Sequence, residues 1–155
     1  MPLIPSILQK GLSDIAENYP DSASDAANKM AKAYADYARG AVAGGLPITL
    51  TGGEEKRLAA ALLSAFAGGN GTPATGAMAW AAGLTAFWLS PPVVFGAGVV
   101  TVALFPAVVP AVLGSIAAPS SDKSPPIAQV VQGLDTATRT VLVLIPPSPT
   151  PVPIS

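Results

Sequence analysis

A repeated pattern of apolar residues constrains the fold of this chain more than any other feature of its sequence. The pattern begins at three leucines about 50 residues apart, which are Leu12, Leu63 and Leu113. The same spacing gives two further columns of matching positions: Ile15, Phe66 and Ile116, then Ala33, Leu84 and Leu134. A fixed period of this size is typical of repeated supersecondary units. The sequence therefore predicts three copies of one unit, at about residues 1–51, 52–104 and 105–145.

Within each copy, the pattern predicts a helix, a short polar break, a second helix and an extended apolar tail. In the first copy, Ser22 followed by Asp25 has the form of a cap at the start of the second helix. In the second copy, Glu54 and Glu55 suit the positive N-terminal end of a helix. The predicted fold class is mainly α with short β segments (α+β), formed by three repeated helical hairpins of about 50 residues.

The three tails are rich in β-branched residues, which favours short strands at residues 46–51, 93–104 and 141–145. The last tail continues into five prolines, Pro146, Pro147, Pro149, Pro151 and Pro153. Prolines donate no backbone hydrogen bond, so we expect an extended polyproline arm rather than a strand. The predicted organisation is one domain over residues 1–145 and a proline-rich C-terminal arm over residues 146–155 that reaches onto a neighbouring surface.

The composition indicates that this protein has either partners or a membrane. Half of the residues are hydrophobic, only 11% are charged, and residues 58–121 carry no charge. A membrane interpretation places bilayer segments at residues 77–89 and 93–118. Prolines and glycines divide this stretch, and basic residues do not cluster beside it, so we favour an assembly interpretation in which the second copy is the buried centre. A membrane-active protein, such as a phage pore or lysis factor, is the alternative.

The charged and reactive residues exclude several classes of function. The net charge is −1 and the eight basic residues are scattered among nine acids, so we expect no direct nucleic-acid binding. The chain has no cysteine and no histidine, the usual nucleophile, base and metal ligands. Glu54 and Glu55 are interpreted as first-turn charges, not as paired catalytic carboxylates. We therefore predict no enzymatic activity and no catalytic residue, cofactor or metal site. The N-terminus lacks the pattern of a secretory signal, so we expect the whole chain to be mature.

Large aromatic residues are candidates for contact with a partner, because permanent interfaces resemble a protein core cut in half. The predicted interface residues are four aromatics and five prolines: Trp80, Phe87, Trp88, Phe95, Pro146, Pro147, Pro149, Pro151 and Pro153. An alternative interpretation is that the aromatics fill the core of the chain itself. The sequence does not decide between these two.

Residues 33–41, 58–66 and 72–92 resemble small structural proteins in the virions of tailed bacteriophages, which often repeat a helix ending in an aromatic residue and an alanine-rich helix with Trp or Tyr. The resemblance implies a non-enzymatic component present in many copies, at the head-tail neck or connector or in the tail. A capsid decoration protein is an alternative within this group. The implied partners are the chain itself and other virion proteins, and the implied location is the virion, with the host cytoplasm during assembly. A cellular scaffold or adaptor remains a third possibility.

Overall fold

The computed structural model describes residues 2–18, 20–67, 73–113 and 124–155. These ranges contain six helices and six strands. The helices are α1 (Pro5–Glu17), α2 (Ala23–Ala38), α3 (Gly53–Ala67), α4 (Pro73–Leu89), α5 (Phe105–Leu113) and α6 (Ser124–Thr138). The strands are β1 (Val42–Ala43), β2 (Leu46–Thr49), β3 (Val94–Phe95), β4 (Gly98–Val102), β5 (Leu142–Leu144) and β6 (Val152–Pro153).

Local signals start two of these helices, α2 and α3. The backbone amide of Asp25 donates to the side chain of Ser22, so the predicted cap of α2 is confirmed. Glu54 and Glu55 lie in the first turn of α3, as predicted. Their negative charges face the partial positive charge at this helix end.

The six helices pack as one ring. Each helix contacts the next helix along the chain, and α6 packs against α1 to close the ring. Side chains of α2, α4 and α6 meet in its middle, where Tyr34 contacts both Phe87 and Thr138. The odd-numbered helices lie between these three: α3 between α2 and α4, α5 between α4 and α6, and α1 between α6 and α2.

The strands form one six-stranded antiparallel sheet in the order β1 to β6. Two-residue turns join some neighbouring strands, and Gly44 and Gly45 both have positive φ in the turn between β1 and β2. This conformation suits the twist of a hairpin and favours glycine. The sheet then closes on itself, because Ala43 bridges Ile154 and the backbones of Val42 and Ser155 exchange two hydrogen bonds of 3.1 and 3.0 Å.

The mixed α+β class is confirmed, but the prediction of three repeated helical hairpins with extended tails is wrong. The helices do not separate into three units, since α2 packs on α3 and α4 packs on α5 as part of the same ring. The predicted tails pair with one another in a nearly closed, barrel-like sheet. A hairpin of two helices leaves apolar surface on both flanks, and that surface is buried here by the neighbouring helices.

The prediction that the proline-rich segment after residue 145 contains no strand is also wrong. Val152 and Pro153 form β6, which pairs with β5, and Ile154 is buried. The prolines alternate with residues that keep a backbone amide, so the amide of Ile154 still donates to the carbonyl of Val141 at 3.3 Å. The C-terminus is therefore held by its own chain.

Among the described residues, no helix combines the length and the apolar character that crossing a membrane requires.

Candidate interaction surface

One side of the sheet faces away from the core and forms the candidate surface. The register pairs Thr49 with Val94, Val94 with Val99, and Val99 with Leu144. Paired residues in an antiparallel sheet point to the same side, so these side chains share one face. We define the outer sheet face by Thr49, Val94, Val99, Val102, Leu142 and Leu144.

The opposite side of the same strands is buried. Phe95, Val100 and Val143 alternate with the residues of the outer sheet face and are almost completely shielded from solvent. Gly98 also lies on this inner side, where an added Cβ would lie only 2.8 Å from Ile145 and 2.9 Å from Val143. The sheet is therefore packed tightly on its inner side and is open to solvent only on the outer one.

The outer sheet face is apolar and carries no charge. Val94 and Val99 are 39% and 40% exposed, and Val102 and Leu104 are also exposed. No Asp, Glu, Lys or Arg occurs in the sequence at residues 40–53, 90–104 or 140–155, which include all six strands. Within the part of the chain that the structure describes, the charged side chains thus lie on the helices or directly beside their ends, and the strands offer a partner an uncharged surface.

Because the sheet closes on itself, a partner would contact this face and not a free strand edge. Open edges offer unpaired amides and carbonyls to other chains. Here β1 and β6, which would be the two edges, are joined through Ala43 and Ile154 and through Val42 and Ser155. Recognition at this end of the molecule therefore depends on side chains.

The four aromatic residues predicted to contact partners are buried in the core. Trp88 stacks on Phe95 with the ring planes 5° apart and the centroids 6.3 Å apart, which links α4 to the inner side of the sheet. The ring of Phe87 contacts the ring of Tyr34 edge to face, and the ring centroid of Trp80 lies 6.2 Å from that of Tyr34. In this conformation they fill the interior of the chain, which is the alternative interpretation given above. A role for them in partner contact stays a prediction.

A buried hydrogen-bond chain joins the three inner helices. Trp88 Nε1 on α4 donates to the Tyr34 hydroxyl on α2 at 3.0 Å, and this hydroxyl lies 2.7 Å from Thr138 Oγ1 on α6. Thr138 donates to the carbonyl of Leu134 at 2.6 Å, so Tyr34 is the donor to Thr138. Burial raises the pKa of Tyr34 far above its usual value, which keeps the hydroxyl protonated for this role.

A second tyrosine ties α2 to the end of α6. The hydroxyl of Tyr37 donates to Asp135 at 2.5 Å, and Arg139 Nε donates to the other oxygen of the same carboxylate at 2.9 Å. Burial, together with the bond to Asp135, raises the pKa of Tyr37. The carboxylate therefore has a structural partner on each oxygen.

Glu54 and Glu55 do not converge on one site. The carboxylate of Glu54 accepts hydrogen bonds from the Thr51 hydroxyl and from the backbone amides of Thr51 and Gly52, at 3.0–3.1 Å. Burial alone would raise the pKa of Glu54, but hydrogen bonds from its own backbone, Thr51 and Gly52 together hold it below its usual value. Glu55 instead lies near Arg39, the residue that follows α2. The two side chains therefore act at the start of α3, each with a different partner.

Arg57 on the next turn of α3 is engaged with α4. Its Nε donates to the carbonyl of Ala86 at 2.9 Å, and a terminal nitrogen lies 3.4 Å from the carbonyl of Phe87. These carbonyls belong to the last turn of α4, where a positive charge is favourable.

The five prolines of the predicted interface are exposed. Pro153 lies in β6, and the other four, Pro146, Pro147, Pro149 and Pro151, lie in the loop that connects β5 to β6. Their part in binding a partner stays a prediction. Sequence reasoning missed the exposed valines of β3 and β4, because apolar residues occupy both sides of these strands and hide the usual alternation.

Comparison with known protein families, curated protein sequences and solved structures gives no match for this chain.

Proposed function

We propose that this protein is a non-enzymatic structural component of a tailed-phage virion, and that it assembles in multiple copies through the outer sheet face. The neck or the tail is the proposed location. The proposed partners are further copies of the chain and other virion proteins.

The observation that carries this proposal is the uncharged, exposed apolar face of the closed sheet. Val94 and Val99 lie side by side on this face, and each remains about two-fifths exposed although every neighbouring strand is already paired. Contiguous exposed apolar surface is characteristic of protein–protein or membrane contact. Among these, repeated contact between proteins agrees with the resemblance to virion components.

The distribution of charge supports the same face. Ion pairs occur along the helices, as in Lys29 with Asp25, Lys32 with Asp36, and Arg139 with Asp135. Such hydrated groups lose solvation when they are buried in an interface. The sheet end carries none of them on its strands, so contact there removes mainly apolar surface from water.

The role in the virion is tested in the phage whose genome encodes this chain. Particles are purified, and their proteins are identified and counted by mass spectrometry. We expect the chain in every preparation, in several copies per particle. Its absence from particles that otherwise have a complete set of structural proteins would refute the proposal.

A matched pair of variants then tests the face. Val99→Lys places a charge on the outer sheet face, whereas Ile7→Lys places one on α1 at a side chain that is equally exposed. We expect particles from a complemented phage to lack the Val99 variant and to retain the Ile7 variant. Equal incorporation of both would show that the sheet face is not the assembly surface.

A further inference from the structure

The loop between β5 and β6 concentrates proline at the surface of the molecule. Residues 146–151 are all exposed. Two of them are Ser148 and Thr150, and the other four are Pro146, Pro147, Pro149 and Pro151. The sequence has no Asp, Glu, Lys or Arg at residues 140–155. The loop therefore presents proline rings to solvent without a charged side chain among them.

The loop has no backbone amide left to donate to another chain. Its four prolines have no amide hydrogen. The amide of Ser148 donates to the carbonyl of Ile145 at 3.1 Å, and the amide of Thr150 donates to Ser148 Oγ at 3.3 Å. Both remaining amides of residues 146–151, all of which the structure describes, are thus used within the loop. A partner finds proline rings, carbonyl oxygens and two hydroxyl groups here.

Both ends of the loop are fixed by the sheet. Val143 pairs with Val152 on either side of it, and the next pair joins β5 to Pro153. The side chain of Ile145 packs on the core, so close to the turn between β1 and β2 that a Cβ added to Gly44 would lie 2.9 Å from it. Each proline further restricts its own φ. The loop therefore has little conformational freedom to lose on binding, which lowers the entropic cost.

These properties select one of the ways in which proteins bind exposed segments. Strand addition depends on hydrogen bonds between main chains, and the loop has no amide to contribute. Recognition by clusters of charged side chains needs a charge, and the loop has none. Grooves lined with aromatic side chains bind proline-rich segments through the rings. Trp and Tyr also carry an N–H or O–H group, which can donate to the carbonyl oxygens of such a segment.

We propose that the β5–β6 loop binds a groove of a partner protein that is lined with Trp or Tyr side chains. The proline rings of the loop pack on the aromatic faces, and the partner supplies the hydrogen-bond donors that the loop lacks. This proposal rests neither on the role in the virion nor on the outer sheet face.

Photo-cross-linking tests the proposal, with Thr150→p-benzoylphenylalanine as the probe. The change keeps the backbone amide of residue 150, so the bond to Ser148 is retained. The labelled chain is made in the cells that naturally produce it, and cross-linked peptides are identified by mass spectrometry. We expect a cross-link to a partner peptide beside Trp or Tyr residues, and loss of this product when the nearest of these is changed to alanine. The same probe at Gln9, which is exposed on α1, should not form the product.

A matched pair of proline variants, each carrying the probe at residue 150, locates the binding. Pro149→Ala removes a ring from the loop, whereas Pro47→Ala makes the same change at an exposed position of β2. We expect Pro149→Ala to lower the yield of the cross-linked product by about tenfold or more, and Pro47→Ala to leave it unchanged. Both variants should keep the helical circular dichroism of the unmodified protein. Should Pro149→Ala lose it, Pro151→Ala takes its place.

Three results would overturn the proposal. The first is the absence of any cross-link from the loop. The second is a cross-link to a surface without Trp or Tyr, such as the outer sheet face of another copy of this chain. The third is an equal yield from Pro149→Ala and from the chain with all its prolines, because the rings would then contribute nothing to binding.

Discussion

Replacing Tyr34 with phenylalanine removes one hydroxyl that connects three helices. Tyr34, Trp88 and Thr138 are all completely buried, and they lie on α2, α4 and α6. The ring of the new phenylalanine keeps the edge-to-face contact with Phe87. The change therefore isolates the polar part of the contact.

The expected loss of stability follows from what remains after the hydroxyl is gone. Trp88 Nε1 loses its acceptor and becomes a buried unsatisfied donor, which costs about 1–3 kcal/mol. Thr138 keeps its bond to the Leu134 carbonyl, so it loses only one hydrogen bond, worth about 0.5–1.5 kcal/mol. The free energy of unfolding should fall by about 1.5–4.5 kcal/mol in total. A loss of about 3 kcal/mol corresponds to a fall of about 6–12 °C in Tm for a chain of this length.

Urea denaturation followed by circular dichroism measures this loss. A double-mutant cycle with Thr138→Val shows how much of it comes from the hydrogen bond between Tyr34 and Thr138. Residues that share a hydrogen bond are expected to show a coupling energy of about 0.5–3 kcal/mol. A loss below about 0.5 kcal/mol for Tyr34→Phe, the range of substitutions that break no structural feature, would show that this hydroxyl is not an essential acceptor for Trp88. Additive changes in the free energy of unfolding for Tyr34→Phe and Thr138→Val would contradict a hydrogen bond between the two residues.

Two further predictions concern helix packing and pH. Gly11→Ala should lower the free energy of unfolding by about 1 kcal/mol, because overpacking against Ala33 costs about 1–3 kcal/mol and exceeds the gain in helix propensity. Gly76→Ala, where an added Cβ meets nothing within 4 Å, should raise the free energy of unfolding by about 1 kcal/mol. Chemical denaturation that showed both variants stabilised, or both destabilised, would contradict this. The folded pKa of Glu54 lies below its usual value of 4.5, so its stabilisation is complete above pH 4.5 and is lost as pH falls through the lowered pKa. Glu54→Gln should therefore flatten the acid side of the stability–pH curve, and an unchanged slope below pH 4.5 would disprove the assignment.

Features that depend on neighbouring residues could be predicted from the sequence. The cap at Ser22 and the first-turn acids Glu54 and Glu55 were found in this way, because a helix end needs partners within a few residues. The contact between Tyr34 and Thr138 could not be found, since the two residues are more than a hundred positions apart. Nothing in a single sequence indicates which distant hydroxyl will meet another.

One column of the periodic pattern is buried as a whole, but the pattern did not indicate how the helices pack. Ala33, Leu84 and Leu134 are all buried, on α2, α4 and α6. The pattern does not specify whether a helix buries its apolar face against the other helix of its own hairpin or against a helix of the next hairpin. Both occur here, so the helices form a ring and not three hairpins.

The prediction that the proline-rich segment contains no strand is wrong because residues between and after the prolines keep their backbone amides. Pro151 and Pro153 have no backbone amide to donate, but Ile154 and Ser155 do. The amide of Ile154 donates to the carbonyl of Val141, and the amide of Ser155 donates to the carbonyl of Val42. The exposed character of Val94 and Val99 was hidden for a different reason. Both sides of β3 and β4 are apolar, so the sequence did not show which side faces solvent.

Assembly through the outer sheet face is tested most directly by light scattering coupled to size-exclusion chromatography, on the unmodified protein and on Val99→Lys and Ile7→Lys. We expect a discrete oligomer for the unmodified protein and for Ile7→Lys, and a smaller species for Val99→Lys with unchanged helical circular dichroism. A folded monomer for all three proteins at every concentration, or an oligomer that Val99→Lys leaves intact, would contradict assembly through the outer sheet face.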